Sequence, residues 1–185
     1  MPSLSAHFSC ANLLVEKLNI SNKNEFFRGT IYPDLMKNSH FKIQSKNGIF
    51  LVPSITKFLQ KITYHLTDFE KGYLVHLLLD KYYLEIFADK FGLEPFINGT
   101  IYDDYSLLSV KLLNDFNVDT TYAFNIIMSF DDTIDKNKLI TMSSFLNLED
   151  KHNDTRVINY NEFKSFITNI SNTIYLEVLD IIKKN

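Results

Sequence analysis

Glycine and proline are scarce in this chain, five and four among 185 residues, and long stretches run between them without a breaker. In those stretches apolar residues recur every three or four positions rather than alternating, which is helical spacing. A first helix is expected from Ser3 or Ser5, either able to cap it, to about Leu18. Leu4, Phe8, Ala11, Leu14, Val15 and Leu18 form its apolar stripe. Pro53 suits the first turn of a second helix, running to about His65. Thr67-Asp68-Phe69-Glu70 has the form of a capping box. It opens the most apolar segment, about 68–91, stopped by Gly92 and Pro95, and apolar residues on several faces predict a central helix. Further helices are expected at about 101–114, 119–130, 136–148 and 160–183. No segment reads as a strand. The expected class is therefore all-α, a single compact multi-helix bundle over residues 1–185. The exception is an irregular segment, 26–50, holding Gly29, Pro33 and Gly48. Gly29 and Pro33 read as a fixed turn, and a loop of this length in a compact domain is often functional.

Composition narrows the function classes. The chain is 45% hydrophobic and 22% charged, ordinary for a globular protein, with a net charge of −3 that offers no basic face for nucleic acid. Cys10 is the lone cysteine, so no internal disulfide forms. The opening Met1-Pro2-Ser3-Leu4 lacks the basic start and long apolar stretch of a signal peptide, and no window is long and apolar enough for a transmembrane segment. The cytoplasm is the expected address. With no tryptophan and no basic amphipathic helix, nothing suggests engagement of a membrane surface. A Walker A loop, Gly-x-Gly-x-x-Gly, Gly-x-Ser-x-Gly and paired Cys-x-x-Cys are all missing, and so is the His-Asp dipeptide of the HD-type phosphohydrolases.

The chemistry-bearing residues converge on the helix expected to be central. His76 and Asp80 lie four apart there and so share a face. A carboxylate in a bundle core is costly unless it is paired or ligates a metal, and His-x-x-x-Asp lets one helix offer nitrogen and oxygen to one ion. Taken alone the pair also suits a hydrogen bond within the helix. Asp34 follows the Gly29–Pro33 segment, where an Asx turn or cap is an equally common role, and His40 sits six residues later. His7 lies in the first turn of the first helix, with Cys10 and Ala11 small beside it. Cys10 reads as a buried structural thiol, and His65 and His152 as surface histidines. Asp131-Asp132-Thr133-Ile134-Asp135-Lys136 lacks the glycine and terminal glutamate of a calcium loop.

The pieces Met-Pro-Ser with His7 and Ala11, Gly-Thr-Ile-Tyr-Pro-Asp34, Ser-His40-Phe and Gly-Tyr-Leu-Val-His76-Leu-Leu-Leu-Asp80 occur in that order over about residues 1–105. Together they resemble the zinc-dependent phospholipase C family, in particular its shorter members. The resemblance implies a helical bundle around metal ions, with residues 106–185 completing it. It implies that Asp34, His40, His76 and Asp80 ligate one metal, and that His7 reaches a second with Asp80 bridging. The chain departs from the family after this point. The secreted enzymes use two later histidines and a glutamate for a third metal, whereas His152 is the only later histidine here and no His-x-x-x-Glu exists. One or two ions are therefore expected. Asp104 stands as a sixth ligand or as a helix-start acid, while Asp103 reads as the latter.

The function expected is a metal-dependent hydrolase of a small-molecule phosphoester, with zinc as cofactor and manganese or iron as alternatives. Asp34 and Asp80 would be its catalytic carboxylates, and Tyr73, Tyr83 and Tyr105 could line its pocket. The alternative is an inactive helical scaffold that binds metal for stability or for an interaction.

Overall fold

A computed structural model describes residues 2–45, 48–63, 65–130 and 134–184. The start of the Asp131–Lys136 segment thus lies outside the described residues. Helix α1 spans Leu4–Leu14, and the Ser3 hydroxyl caps it by accepting from the Ala6 N–H. Helix α2 spans Lys23–Leu35, capped by Asn22. A two-stranded antiparallel hairpin follows, β1 Lys42–Gln44 with β2 Leu51–Pro53, in the register Ile43 opposite Val52. Then come the short α3, Ile55–Leu59, capped by Ser54, and α4, Asp68–Tyr82. The Thr67/Glu70 capping box forms as its sequence predicts. Helix α4 passes through a π-turn, Tyr83–Phe87, and a 3-10 turn, Ala88–Phe91, before Gly92 at φ 68 ends it. Helices α5 (Glu94–Ile97), α6 (Thr100–Asp115), α7 (Thr120–Met128), α8 (Lys136–Ser143) and α9 (Tyr160–Lys184) complete the chain.

The class is all-α, as expected, with the hairpin as a small addition. Helix α4 is the axis. Every residue from Gly72 to Asp80 is buried, and α1, α2, α3, α9 and β2 all pack on it. None of the described helices is long and apolar enough to cross a membrane.

Two expectations need correction. The segment 26–50 is not one irregular loop, because its first ten residues belong to α2. Gly29 and Pro33 are helical, not a turn. Gly29 is there for closeness, not for a positive φ. A Cβ on it would stand 1.9 Å from the Phe69 carbonyl oxygen of α4, and a Cβ on Gly72 would stand 1.9 Å from that of Phe26. The two helices cross backbone to backbone at this glycine pair, and no side chain fits between them. Pro33 only removes the N–H that would have bonded the Gly29 carbonyl, a loss the last turn of a helix tolerates. The second expected helix is likewise shorter than predicted. Pro53 belongs to β2, and the Ser54 hydroxyl starts α3 one residue later.

Candidate metal centre

The α2–α4 crossing sets the site. Beyond it α2 presents Asp34 and α4 presents His76 and Asp80, one helical turn apart. Helix α1 brings His7, and the turn after α2 brings His40. That turn is held tightly. Asn38 and Phe41 both adopt left-handed backbone, at φ 61 and 50, which asparagine tolerates and phenylalanine does not favour. Ser39 donates its hydroxyl to the carbonyls of α2's end, and the Tyr73 hydroxyl of α4 donates to the Ser39 carbonyl. The Lys61 ammonium lies 4.6 Å above the Phe41 ring. These contacts fix the direction of His40.

The five side chains form a buried cluster that could hold a metal ion. His40 Nε2 lies 3.5 Å from Asp34 Oδ1, 3.4 Å from Asp80 Oδ2 and 3.1 Å from His76 Nε2. His76 Nε2 lies 3.4 Å from Asp80 Oδ2 and 3.9 Å from Asp34 Oδ1. Ligand atoms set about 2.0–2.1 Å from one ion in a tetrahedron are about 3.4 Å apart, so these separations are those of a ligand shell. His7 approaches from the other side. Its Nε2 lies 3.3 Å from Asp80 Oδ1 and 3.9 Å from Asp34 Oδ2. Each aspartate thus turns one oxygen to the His40–His76 pair and its other oxygen to His7.

The donor chemistry fits a cation as well as the distances do. His76 Nδ1 donates to the Thr30 carbonyl at 2.7 Å, which leaves Nε2 with a bare lone pair. His40 Nδ1 has Ser39 Oγ 3.5 Å away, so its Nε2 also faces inward. The two Nε2 atoms lie 3.1 Å apart beside two carboxylates, a spacing that one shared N–H or one cation bound by both nitrogens satisfies. Neither nitrogen of His7 and neither oxygen of Asp80 has a hydrogen-bond partner, although both residues are fully buried. A carboxylate in a core without an aligned hydrogen bond is heavily penalised, so Asp80 calls for positive charge, from the imidazoles beside it or from a bound cation.

Titration follows from the same geometry. Burial alone would raise the Asp80 carboxyl, but His76 and His7 hold it well below the usual carboxylate range. Asp34 is lowered in the same way, against burial, by His76, His40 and His7. Burial pushes His7 down and the charge of His76 pushes it further. Burial also works against protonated His76, but the carboxylates of Asp80 and Asp34 outweigh it and raise its pKa.

No family model, curated protein or solved structure matches the chain.

Asp104 is not brought to this cluster. It too is fully buried, but its carboxylate accepts the backbone N–H groups of Arg156 at 2.9 Å, Val157 at 2.7 Å and Ile158 at 2.8 Å. Its oxygens tie the loop before α9 to α6. Asp103 is an exposed first-turn acid, as expected. His65 is exposed, and His152 pairs with Asp150 at 2.7 Å. Cys10 is buried, and burial pushes its thiol up to about 12. Of the three tyrosines, Tyr105 lines a cleft of about 550 Å3 that opens on Asp34. Tyr73 fastens the His40 turn instead, and buried Tyr83 accepts a hydrogen bond from the Tyr105 hydroxyl at 2.5 Å.

The sequence reading missed the Thr30 carbonyl, which orients His76, and it missed Lys42, which lines the cleft. No side-chain pattern marks a backbone carbonyl. Lys42 stands two residues after His40, and only the hairpin shows that it borders the site.

Proposed function

We propose that the cluster holds one or two zinc ions and that the chain hydrolyses a phosphoester, as the resemblance to the zinc-dependent phospholipase C family implies. The observation that carries this reading is the unpaired, fully buried Asp80 carboxylate facing three imidazoles. Mixed nitrogen and oxygen donors suit zinc, and manganese or iron could use the same set. His40 and His76 would hold one ion with one oxygen each from Asp34 and Asp80. His7 would take the second with the other two oxygens. Bound there, a divalent cation supplies Lewis acidity, acidifying water and offsetting charge on a phosphoryl group. Asp34 is the carboxylate that reaches solvent, with a side chain 11% exposed against 0% for Asp80. It lines the cleft, where it would accept a hydrogen bond from water and keep that water directed at the ester. Asp80 holds charge and has no access to substrate.

The same burial favours a second reading. A cluster this enclosed also suits an ion that only stabilises the helices, in a scaffold without turnover. Elemental analysis of protein purified without a histidine tag gives identity and stoichiometry, expected at no more than two ions per chain. Three tight ions would reveal a ligand set outside the cluster. Hydrolysis of a chromogenic phosphodiester with added zinc or manganese, lost with chelator, supports the enzyme. Bound metal without turnover on any ester supports the scaffold.

A further inference from the structure

Resting on the hydrolase reading, we propose that the cleft selects an anionic amphiphile, a phosphomonoester of an apolar alcohol, and that Lys42 is the residue that recognises its extra negative charge. The cleft walls are apolar, with Phe50, Leu51, Leu84, Leu93 and Phe96 among them. Leu51 and Leu93 are 54% and 43% exposed, so apolar surface stands in water around the opening. An apolar chain laid there removes that surface from solvent.

Only two ionised side chains line the cleft among the described residues, Asp34 and Lys42. Asp34 belongs to the cluster, and its charge is used there. Lys42 remains. It is exposed on β1, and no ion pair holds it among the described residues, whereas Lys71, Lys90, Lys111 and Lys164 all meet carboxylates. Lys42 also lines a second cavity, of about 470 Å3, together with His40 and Lys57. Lys42 thus borders both openings that reach cluster residues. A cationic head group would meet Lys42 with like charge and find no carboxylate outside the cluster. A phosphomonoester carries about one more negative charge near neutral pH than a diester, and a free ammonium is the group that matches it.

The test measures binding, so it does not depend on turnover. Zinc-loaded protein is titrated calorimetrically with octyl phosphate and with octylphosphocholine, both as monomers. The wild type is expected to prefer octyl phosphate by about tenfold, the size of one charge-assisted contact. Lys42→Gln should erase that preference while leaving octylphosphocholine within about twofold. Leu93→Ser should weaken both ligands together, because it removes wall and not charge. Equal binding of the two ligands by wild type, a preference that survives Lys42→Gln, or no binding of octyl phosphate would each overturn the proposal. If the preference behaves as expected but neither ester is ever hydrolysed, selection by Lys42 stands and the hydrolase reading falls.

Discussion

Asp80 and Asp104 are both fully buried carboxylates on long helices, yet the fold treats them in opposite ways. Three aligned backbone N–H groups from Arg156, Val157 and Ile158 converge on Asp104 at 2.7 to 2.9 Å. Around Asp80 there are imidazoles at 3.3 to 3.4 Å, and none is aligned to donate. Burial alone therefore does not identify a ligand. What separates a structural anion from a metal-binding one is whether this chain supplies the donors. Asp104 has been provided for from within, while Asp80 is set up for a cation from outside.

The sharpest break of that comparison is zinc affinity. Asp80→Asn removes the charge that both halves of the cluster share and replaces one of its two oxygens with a non-ligating NH2, and His76→Ala removes the oriented nitrogen. Each is expected to weaken zinc by about a thousandfold, about 4 kcal/mol, in a chelator competition. Asp104→Asn, His65→Ala and His152→Ala should leave it within about twofold. Loss of zinc through His65→Ala alone would mean that the wrong residues have been assigned.

Stability should show the reverse. Asp104→Asn turns an amide N–H2 toward backbone donors and leaves buried N–H groups without acceptors, so about 3 kcal/mol of unfolding free energy should be lost with or without zinc. Asp80→Asn in metal-free protein should cost less, because no aligned hydrogen bond to Asp80 is broken there. Urea denaturation of both variants with chelator present decides this. An Asp80→Asn as damaging as Asp104→Asn would show that the metal-free fold already compensates Asp80.

How much of this was legible in the sequence follows from how local each cause is. The capping box and the apolar stripes are settled within a few residues, and those helices appear where the spacing puts them. His76 and Asp80 were legible for the same reason, being four apart on one helix. Helix α2 was not, because Gly29 and Pro33 carry turn signals and only the backbone of α4, some forty residues away, explains the glycine. Asp104 could not be resolved in advance, since its three donors lie more than fifty residues downstream. The glycine pair makes a prediction of its own. Gly72→Ala forces the α2–α4 crossing apart, because the new methyl meets the rigid Phe26 backbone. About 2 kcal/mol should be lost, and zinc should weaken as Asp34 moves from Asp80. A Gly72→Ala variant with unchanged zinc affinity would detach the crossing from the site.

The smallest expected effect is also the most specific to the Asp80 side, and it is a matter of pH. His76 has a raised pKa in the metal-free fold, so a proton bound there stabilises that fold fully below the unfolded value of about 6.5, and the contribution is lost as pH rises through the raised value. The lowered Asp34 and Asp80 contribute only above about 3.8 and stay ionised throughout this range. Zinc needs the His76 nitrogen that the proton occupies, and it must displace that proton to bind. Below the raised pKa each unit of falling pH therefore takes about 1.4 kcal/mol from zinc's net stabilisation. For a chain of this length that is about 4 °C of melting temperature per unit. Melting curves with and without zinc at pH 7.0 and 6.0 should show the zinc increment shrinking toward the lower pH, by that amount at most, whereas the loss caused by Asp104→Asn should be the same at both. If the zinc increment were equal at the two pH values, no proton would be displaced, and His76 could not be the ligand that separates the two buried aspartates.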